Sequence, residues 1–331
     1  MWLRNLILIC TTAYHIWCCR QENQTPPPGK IYDIGDCKLH LYRRGRSRPN
    51  QPTVILDHSL GGLEGYLLIE EIAEFADVCI YDRAGYGWSS SSPNPRNSGE
   101  MMQEFEALMR QAQIQPPYVL VGDSLGSYTM RLYAHTYPEN VAGLILTDGL
   151  HEDGMARLPV SLQLMKAVFT AGFVMSIAGS ALGFIRILQQ LGIFQVVSPK
   201  LRQYGQAQLA PVLRSFMRPK HWFTMAREMV SLNTSSEQLR QTGSLGSLPV
   251  INIKASNFFT PAPLLKPLPL ETADNLWTQM HHSLMRLSTQ SLSLPAQSSH
   301  FVWVDQPDAM LEAIDRMLAK LYKDHHKGRQ M

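Results

Sequence analysis

The sequence is poor in cysteine and in charge. Five cysteines in 331 residues are too few for a disulfide framework, and no Cys-x-x-Cys pair or Cys/His spacing offers a zinc site. Charged residues make up 17% of the chain, and the surplus is only +3, from 30 basic and 27 acidic side chains. No basic stripe therefore argues for nucleic acid as a partner. No internal repeat is visible. What the chain does have is apolar content, at 45%, enough for a globular core and too much for general disorder. Its length allows one large domain or two ordinary ones.

The cysteines are unevenly placed, with Cys10, Cys18 and Cys19 near the N-terminus. Residues 5–19 (NLILICTTAYHIWCC) are mostly apolar and lie between Arg4 and Arg20. The run is shorter than the roughly twenty residues that cross a bilayer comfortably. It reads as a signal peptide or signal anchor, and the lack of a clear small-x-small cleavage site favours a retained anchor. Cys18 and Cys19 would then sit at the membrane edge, either palmitoylated or as plain thiols. The polar, proline-rich stretch 21–30 serves as a linker. Residues 1–28 are thus expected to associate the protein with a membrane, with the secretory pathway open. Sequons at Asn23 and Asn233 matter only in a secretory setting. At the other end, 323–331 (KDHHKGRQM) reads as a solvated basic tail.

From residue 31 onward, short apolar strands alternate with helical patterns. The spacing predicts an opening hairpin around Ile31–Leu41, a buried strand at 52–58 and, over 76–87, another strand running into a glycine-broken loop. A helix over 100–115 ends before Pro116-Pro117. A strand at 118–122, a helix from Leu125 to about Tyr137 and a strand at 141–148 follow. Later come a strand at 248–254, a helix over 271–288, a strand at 300–304 and a closing helix over 307–322. This alternation predicts an α/β fold, with a mainly parallel sheet covered by helices on both faces.

About a hundred residues separate the strands at 141–148 and 248–254, too many for a loop. This insertion contains AVFTAGFVMSIAGSALGFI (167–185), nineteen residues without a charge. Length alone makes it a membrane-span candidate. A span here would put sheet-forming strands on opposite sides of a bilayer, so a hydrophobic lid helix, or a hairpin dipping into the bilayer surface, is expected instead. The expected organisation is therefore 1–28 anchor segment and linker, 29–150 first part of the core, 151–247 helical lid, 248–322 second part of the core and 323–331 tail.

The sharpest signal is Gly122-Asp123-Ser124-Leu125-Gly126, a G-x-S-x-G pattern between an apolar strand and a helix. Such a turn forces the serine into a strained conformation with its hydroxyl above the sheet, and the small residues at 122 and 126 let strand and helix approach. The Leu125 N–H then opens an oxyanion hole at the helix N-terminus. From about residue 29 to 322 the sequence resembles the α/β-hydrolase superfamily. His58-Ser59-Leu60-Gly61-Gly62 is similar to the family's oxyanion loop, with Ser59 in place of the usual glycine, and the resemblance implies the Leu60 N–H as second oxyanion donor. Tyr81-Asp82-Arg83-Ala84-Gly85-Tyr86-Gly87-Trp88-Ser89 is similar to the family's turn beside the active site. The stretch from Pro116 to Glu152 resembles a membrane-anchored branch of the superfamily. Asp123 departs from the histidine common before the nucleophile.

A serine hydroxyl needs an adjacent base, and the fold's chain order places nucleophile, acid and histidine in succession. His300, separated from Pro307 by six residues, fits the family's late histidine, with Ser299 in place of its glycine. His281 and His282, within a helical stretch, and His325 and His326, in the tail, are expected to be solvated. No carboxylate follows the strand at 248–254 until Glu271. Asp148, at the end of the strand after the nucleophile helix, is the expected acid, with Asp274, Glu271 and a neutral Asn257 as alternatives. His151-Glu152-Asp153 is read as local hydrogen bonding, since three adjacent residues do not easily converge on one metal.

The expectation is a membrane-associated serine hydrolase with Ser124, His300 and Asp148 as its triad. It would cleave a lipophilic carboxylic ester through an acyl-enzyme, with Leu60 and Leu125 binding the oxyanion and no metal or organic cofactor. Its partners would be a small-molecule or lipid ester and the membrane, reached by the N-terminal segment and by the lid. The alternatives are a serine peptidase or amidase on the same fold, and a non-catalytic binding protein that retains it.

Overall fold

The structure is a computed structural model that describes residues 2–49, 51–259 and 268–328. Eight strands form one sheet in the order β1-β2-β4-β3-β5-β6-β7-β8. The strands β1 (Lys30–Asp33) and β2 (Lys38–Arg44) form the expected antiparallel hairpin, and β2 also runs antiparallel to β4 (Val78–Asp82). The strands β3 (Thr53–Asp57), β4, β5 (Tyr118–Asp123), β6 (Val141–Thr147), β7 (Val250–Ala255) and β8 (Ser291–Ala296) pair in parallel. Every residue of β3, β4 and β5 is buried. That explains why these strands read as continuous apolar runs, since helices cover both of their faces.

One apolar cluster joins Val54, Val78, Val121 and Ile145 to the C-terminal helix, and another joins Ile55, Leu120 and Leu144 to the helix over 98–111. The helices flanking the central strands are α2 (Ile69–Phe75), α3 (Ser98–Gln111) and α4 (Gly126–Thr136). Between β6 and β7 lies a series of helices: α5 (Glu152–Ala156), α6 (Val160–Ala181), α7 (Phe184–Gln190), α8 (Ile193–Val197), α9 (Gln206–Phe216) and α10 (Pro219–Arg240). After β7 come α11 (Leu270–Leu284), and, beyond β8, α12 (Val302–Asp305) and α13 (Pro307–Gly328).

Several expectations change. The last strand is not 300–304 but Ser291–Ala296, and the run at Val302–Asp305 is a short helix. A brief apolar run has no period of its own. Here Val302 and Trp303 are buried on the core while the alternating, mostly unburied SLSLPA forms the sheet edge, where a proline is tolerated. The uncharged stretch 167–185 is not one helix either, because α6 ends at Ala181 and Gly183 turns the chain with φ +83°. Residues 323–328, expected in the tail, continue α13, and 329–331 lie outside the described residues.

The N-terminal anchor is not supported. Residues Trp2–Gln24 form one helix, α1, which runs on through the polar residues 21–24. Its Glu22 is held by Arg186 of α7 and by Arg218, each at 2.6 Å. Its His15 is buried, and Gly183 lies against its Thr11 carbonyl. Among the described residues α6, not α1, is long and apolar enough to cross a membrane, by length and composition alone.

Candidate active site

The register of the sheet brings the first two site residues together. In β5 and β6 Asp123 pairs with Thr147, so Ser124 and Asp148 are the next residues of two adjacent strands at the carboxyl edge. Neighbouring strands lie about 4.8 Å apart. Both residues leave their strands in the left-handed region, Ser124 with φ +48° and Asp148 with φ +41°. Such a backbone costs about 1–3 kcal/mol in a residue with a side chain and persists only where its surroundings enforce it. Here the Ser124 N–H donates to Thr147 O at 2.9 Å and the Asp148 N–H to Ile253 O at 2.8 Å.

The two flanking glycines are required by contact. A Cβ on Gly122 would lie 2.7 Å from the Ser127 Cα, and one on Gly126 would lie 2.7 Å from the His58 carbonyl oxygen. Strand, helix and the loop after β3 can therefore close on one another only without side chains at these positions. Ser127 then ties the turn to the next strand end, since its hydroxyl donates to Ser124 O at 2.5 Å and accepts from Leu150 N–H at 3.0 Å.

His300 reaches this corner from the loop after β8. Its Nε2 lies 2.9 Å from Ser124 Oγ and its Nδ1 lies 2.5 Å from Asp148 Oδ2. The His300 N–H donates to Phe258 O at 3.1 Å, and the imidazole packs beside the Phe258 ring and edge-on to Trp277. Asp148 is buried, which alone would raise its carboxyl. Hydrogen bonds from His281 and His300 outweigh burial and hold it well below the usual carboxylate range. Among the described residues none of the other acid candidates bonds to the His300 ring, whose partners are Asp148 and Ser124; Asp274 instead accepts from the Phe258 N–H at 2.6 Å, and Glu271 is exposed.

The loop 57–62 lies across the turn, and Arg83 fixes it in place. This buried guanidinium donates to Asp57 Oδ1 at 2.7 Å, to His58 O at 2.6 Å and to Ser59 O at 2.8 Å. From its other side it reaches Glu228 of α10 at 3.1 Å. The Ser59 hydroxyl donates to Glu64. Among the described residues, no protein acceptor takes the N–H of Leu60 or of Leu125. Leu125 and its buried neighbours Met155, Leu162 and Met280 form an apolar cluster, with Leu60, Phe258 and Trp277 packed against it.

Asp123, beside the serine, is buried and its Oδ1 has no hydrogen-bond partner among the described residues. Burial, followed by the Glu64, Asp148 and Asp57 carboxylates, pushes its carboxyl well above the ordinary range. The histidine at 281, expected to be solvated, is instead 3% exposed and donates to Asp148 Oδ1 at 2.8 Å. Sequence reasoning missed Arg83 and Ser127 as supports, and nothing local to His281 distinguishes it from His282.

The sequence profile of the alpha/beta hydrolase fold matches residues 52–170. The chain has the α/β-hydrolase fold. An enol-lactonase from Burkholderia xenovorans, 15% identical, superposes on this hydrolase-fold chain with a TM-score of 0.62, covering 88% of this chain and all of that one. An uncharacterized protein of Schizosaccharomyces pombe is 27% identical over 54% of this chain and 37% of its own length. An uncharacterized vacuolar membrane protein of Saccharomyces cerevisiae is 32% identical over 31% of this chain and 17% of its own. The chain thus spans well under half the length of these two curated relatives.

Proposed function

We propose that this protein is a serine hydrolase that cleaves a lipophilic carboxylic ester by acyl transfer. The observation that carries this reading is the hydrogen-bonded line from Ser124 Oγ through His300 to Asp148, with 2.9 and 2.5 Å between successive heavy atoms. Ser124 Oγ attacks the ester carbonyl while His300 Nε2 takes its proton. The Leu60 and Leu125 N–H groups receive the oxyanion. His300 returns the proton to the leaving alcohol, which departs and leaves the acyl-enzyme. Water, deprotonated by the same imidazole, then releases the acid. Asp148 keeps the proton on His300 Nδ1 and stabilises the imidazolium.

The acyl group meets the apolar cluster around Leu125. Met155 and Met229 of that cluster also line a cavity of about 800 Å³ between α5, α6 and α10. Residues 151–247 act as the lid over a core made from 29–150 and 248–322. Glu228 couples the lid to the loop 57–59 through Arg83. The lid also meets the membrane. Leu164, Val168, Val174 and Met175 of α6 are exposed, and α6 is long and apolar enough to enter a bilayer by length and composition.

A fluorophosphonate probe tests the reading directly. The wild type should be labelled and Ser124→Ala should not, while short-chain and medium-chain nitrophenyl esters should be hydrolysed in preference to the matching anilides. Equal labelling of both proteins would remove Ser124 as nucleophile. Labelling of neither would favour a non-catalytic protein.

A further inference from the structure

The acid of the proposed triad has a second imidazole on its far side. Asp148 Oδ2 faces His300, while Asp148 Oδ1 accepts from His281 Nε2 at 2.8 Å and from the Ala255 N–H at 3.0 Å. The opposite nitrogen of His281, Nδ1, lies 2.7 Å from Nδ2 of Asn252. Asn252 is fully buried in the middle of β7, between Ile251 and Ile253, and its Oδ1 has no partner among the described residues. A buried amide in a sheet interior costs stability unless it is bonded. His281 supplies that bond.

The bonding pattern assigns the protons. A carboxylate only accepts, so His281 Nε2 carries hydrogen toward Asp148. In neutral His281 the Nδ1 lone pair accepts from the Asn252 amide, as the atoms are placed. In a cationic His281 the Nδ1–H would need an acceptor, and turning the Asn252 amide over would offer its unpartnered Oδ1. In both states Asn252 keeps the Nε2–H aimed at Asp148. The two carboxylate oxygens are thereby divided, one to His300 and the other to His281.

Building on the serine-hydrolase reading above, we propose that His281, oriented by Asn252, is a positioning residue that fixes the Asp148 carboxylate and restrains its pull on the His300 proton. With the His281 donor removed, charge concentrates on the oxygen that faces His300, and the imidazolium is favoured. His300 would then be a free base only at higher pH. The other acidic groups of this corner are Asp123 of β5, Asp274 of α11, which holds the Phe258 N–H, and Asp305 of α12, which holds Ser299. All three remain in the variants below, so a shift reports on His281.

The test needs no natural substrate. The rate of fluorophosphonate labelling is measured against pH for the wild type, His281→Leu and His281→Gln, with the fold checked by thermal melting. Glutamine can donate to Asp148 and accept from Asn252 as neutral histidine does, whereas leucine can do neither. In His281→Leu the acid limb should move up by about one pH unit, as expected for one lost hydrogen bond to a charge. The labelling rate at pH 6 should fall about tenfold with it. In His281→Gln the limb should return toward its wild-type position. A folded His281→Leu with an unmoved limb would overturn the proposal, as would a glutamine variant no better than leucine. If His281→Leu does not fold, His281→Met is compared with His281→Gln by the same criterion. A wild type that resists the probe overturns the serine-hydrolase reading and this inference with it. A labelled wild type with an unmoved limb overturns this inference alone.

Discussion

Replacing Asp148 by asparagine changes only one group, yet its effect on the site can be worked out from the bonds that group makes. The Asp148 Oδ1 position receives two N–H donors, from His281 at 2.8 Å and Ala255 at 3.0 Å. An amide nitrogen there would point hydrogens at hydrogens, so the amide oxygen must occupy that side. The NH₂ then faces His300 Nδ1, which sits 2.5 Å from Asp148 Oδ2 in the native site. To accept from that NH₂, His300 must move its proton to Nε2, the nitrogen 2.9 Å from Ser124 Oγ. The imidazole then offers Ser124 a donor where a base is needed. Loss of the correct tautomer in a Ser-His-Asp triad lowers turnover about 10⁴-fold, equivalent to about 5.5 kcal/mol in the barrier. The assay is kcat on a nitrophenyl ester, compared between wild type and Asp148→Asn at pH 7.5, with melting curves to show that both are folded. A decrease of less than tenfold in a folded variant would refute the tautomer argument and move the acid elsewhere, with Asp274 next to test.

The other predictions concern stability and the membrane. Asp123 has its carboxyl raised on folding, chiefly by burial, so the unfolded chain gives up this proton at a lower pH than the folded one does. Asp123 therefore costs nothing below about pH 4 and costs increasingly more stability as pH rises above it, until the folded group also ionises. Asp123→Asn should accordingly raise the melting temperature at pH 8 by a few degrees, with the gain vanishing toward pH 4; a gain independent of pH would contradict this. For the proposed membrane contact, replacing the exposed Leu164, Val168 and Met175 of α6 together by glutamate should weaken binding to phosphatidylcholine vesicles at least tenfold, since full burial of each such side chain contributes about 1.5–3 kcal/mol. Unchanged co-sedimentation would exclude α6 as the membrane face.

The chemistry-bearing turn was legible in the sequence because it is local. Gly122, Ser124 and Gly126 lie within five residues, and the apolar β5 before them and the helical pattern after them leave one conformation in which all three residue types make sense. The buried strands β3 to β6 were legible for a related reason, since burial on both faces makes each a mostly apolar run. The edge strand β8 and the helix α12 were not, because a short apolar stretch has no period to separate helix from strand, and only the surrounding layers decide which one buries Val302 and Trp303. At the N-terminus composition pointed to a bilayer, but Glu22 meets its arginine partners Arg186 and Arg218 far away in sequence, which no local reading could reveal.

By itself the sequence determined the α/β architecture and singled out the turn around Ser124 and the late His300 as candidate site residues. Tertiary structure decided which groups stand beside that turn. Asp148 stands beside Ser124 because of the β5–β6 register, and Arg83 holds the loop 57–59 because that loop, with its own Asp57 carboxylate, and the distant Glu228 converge on one guanidinium. His281 touches Asp148 while its neighbour His282 is exposed. Consecutive residues on a helix point about 100° apart, and only the packing of α11 against β7 determines which of the two imidazoles faces the acid.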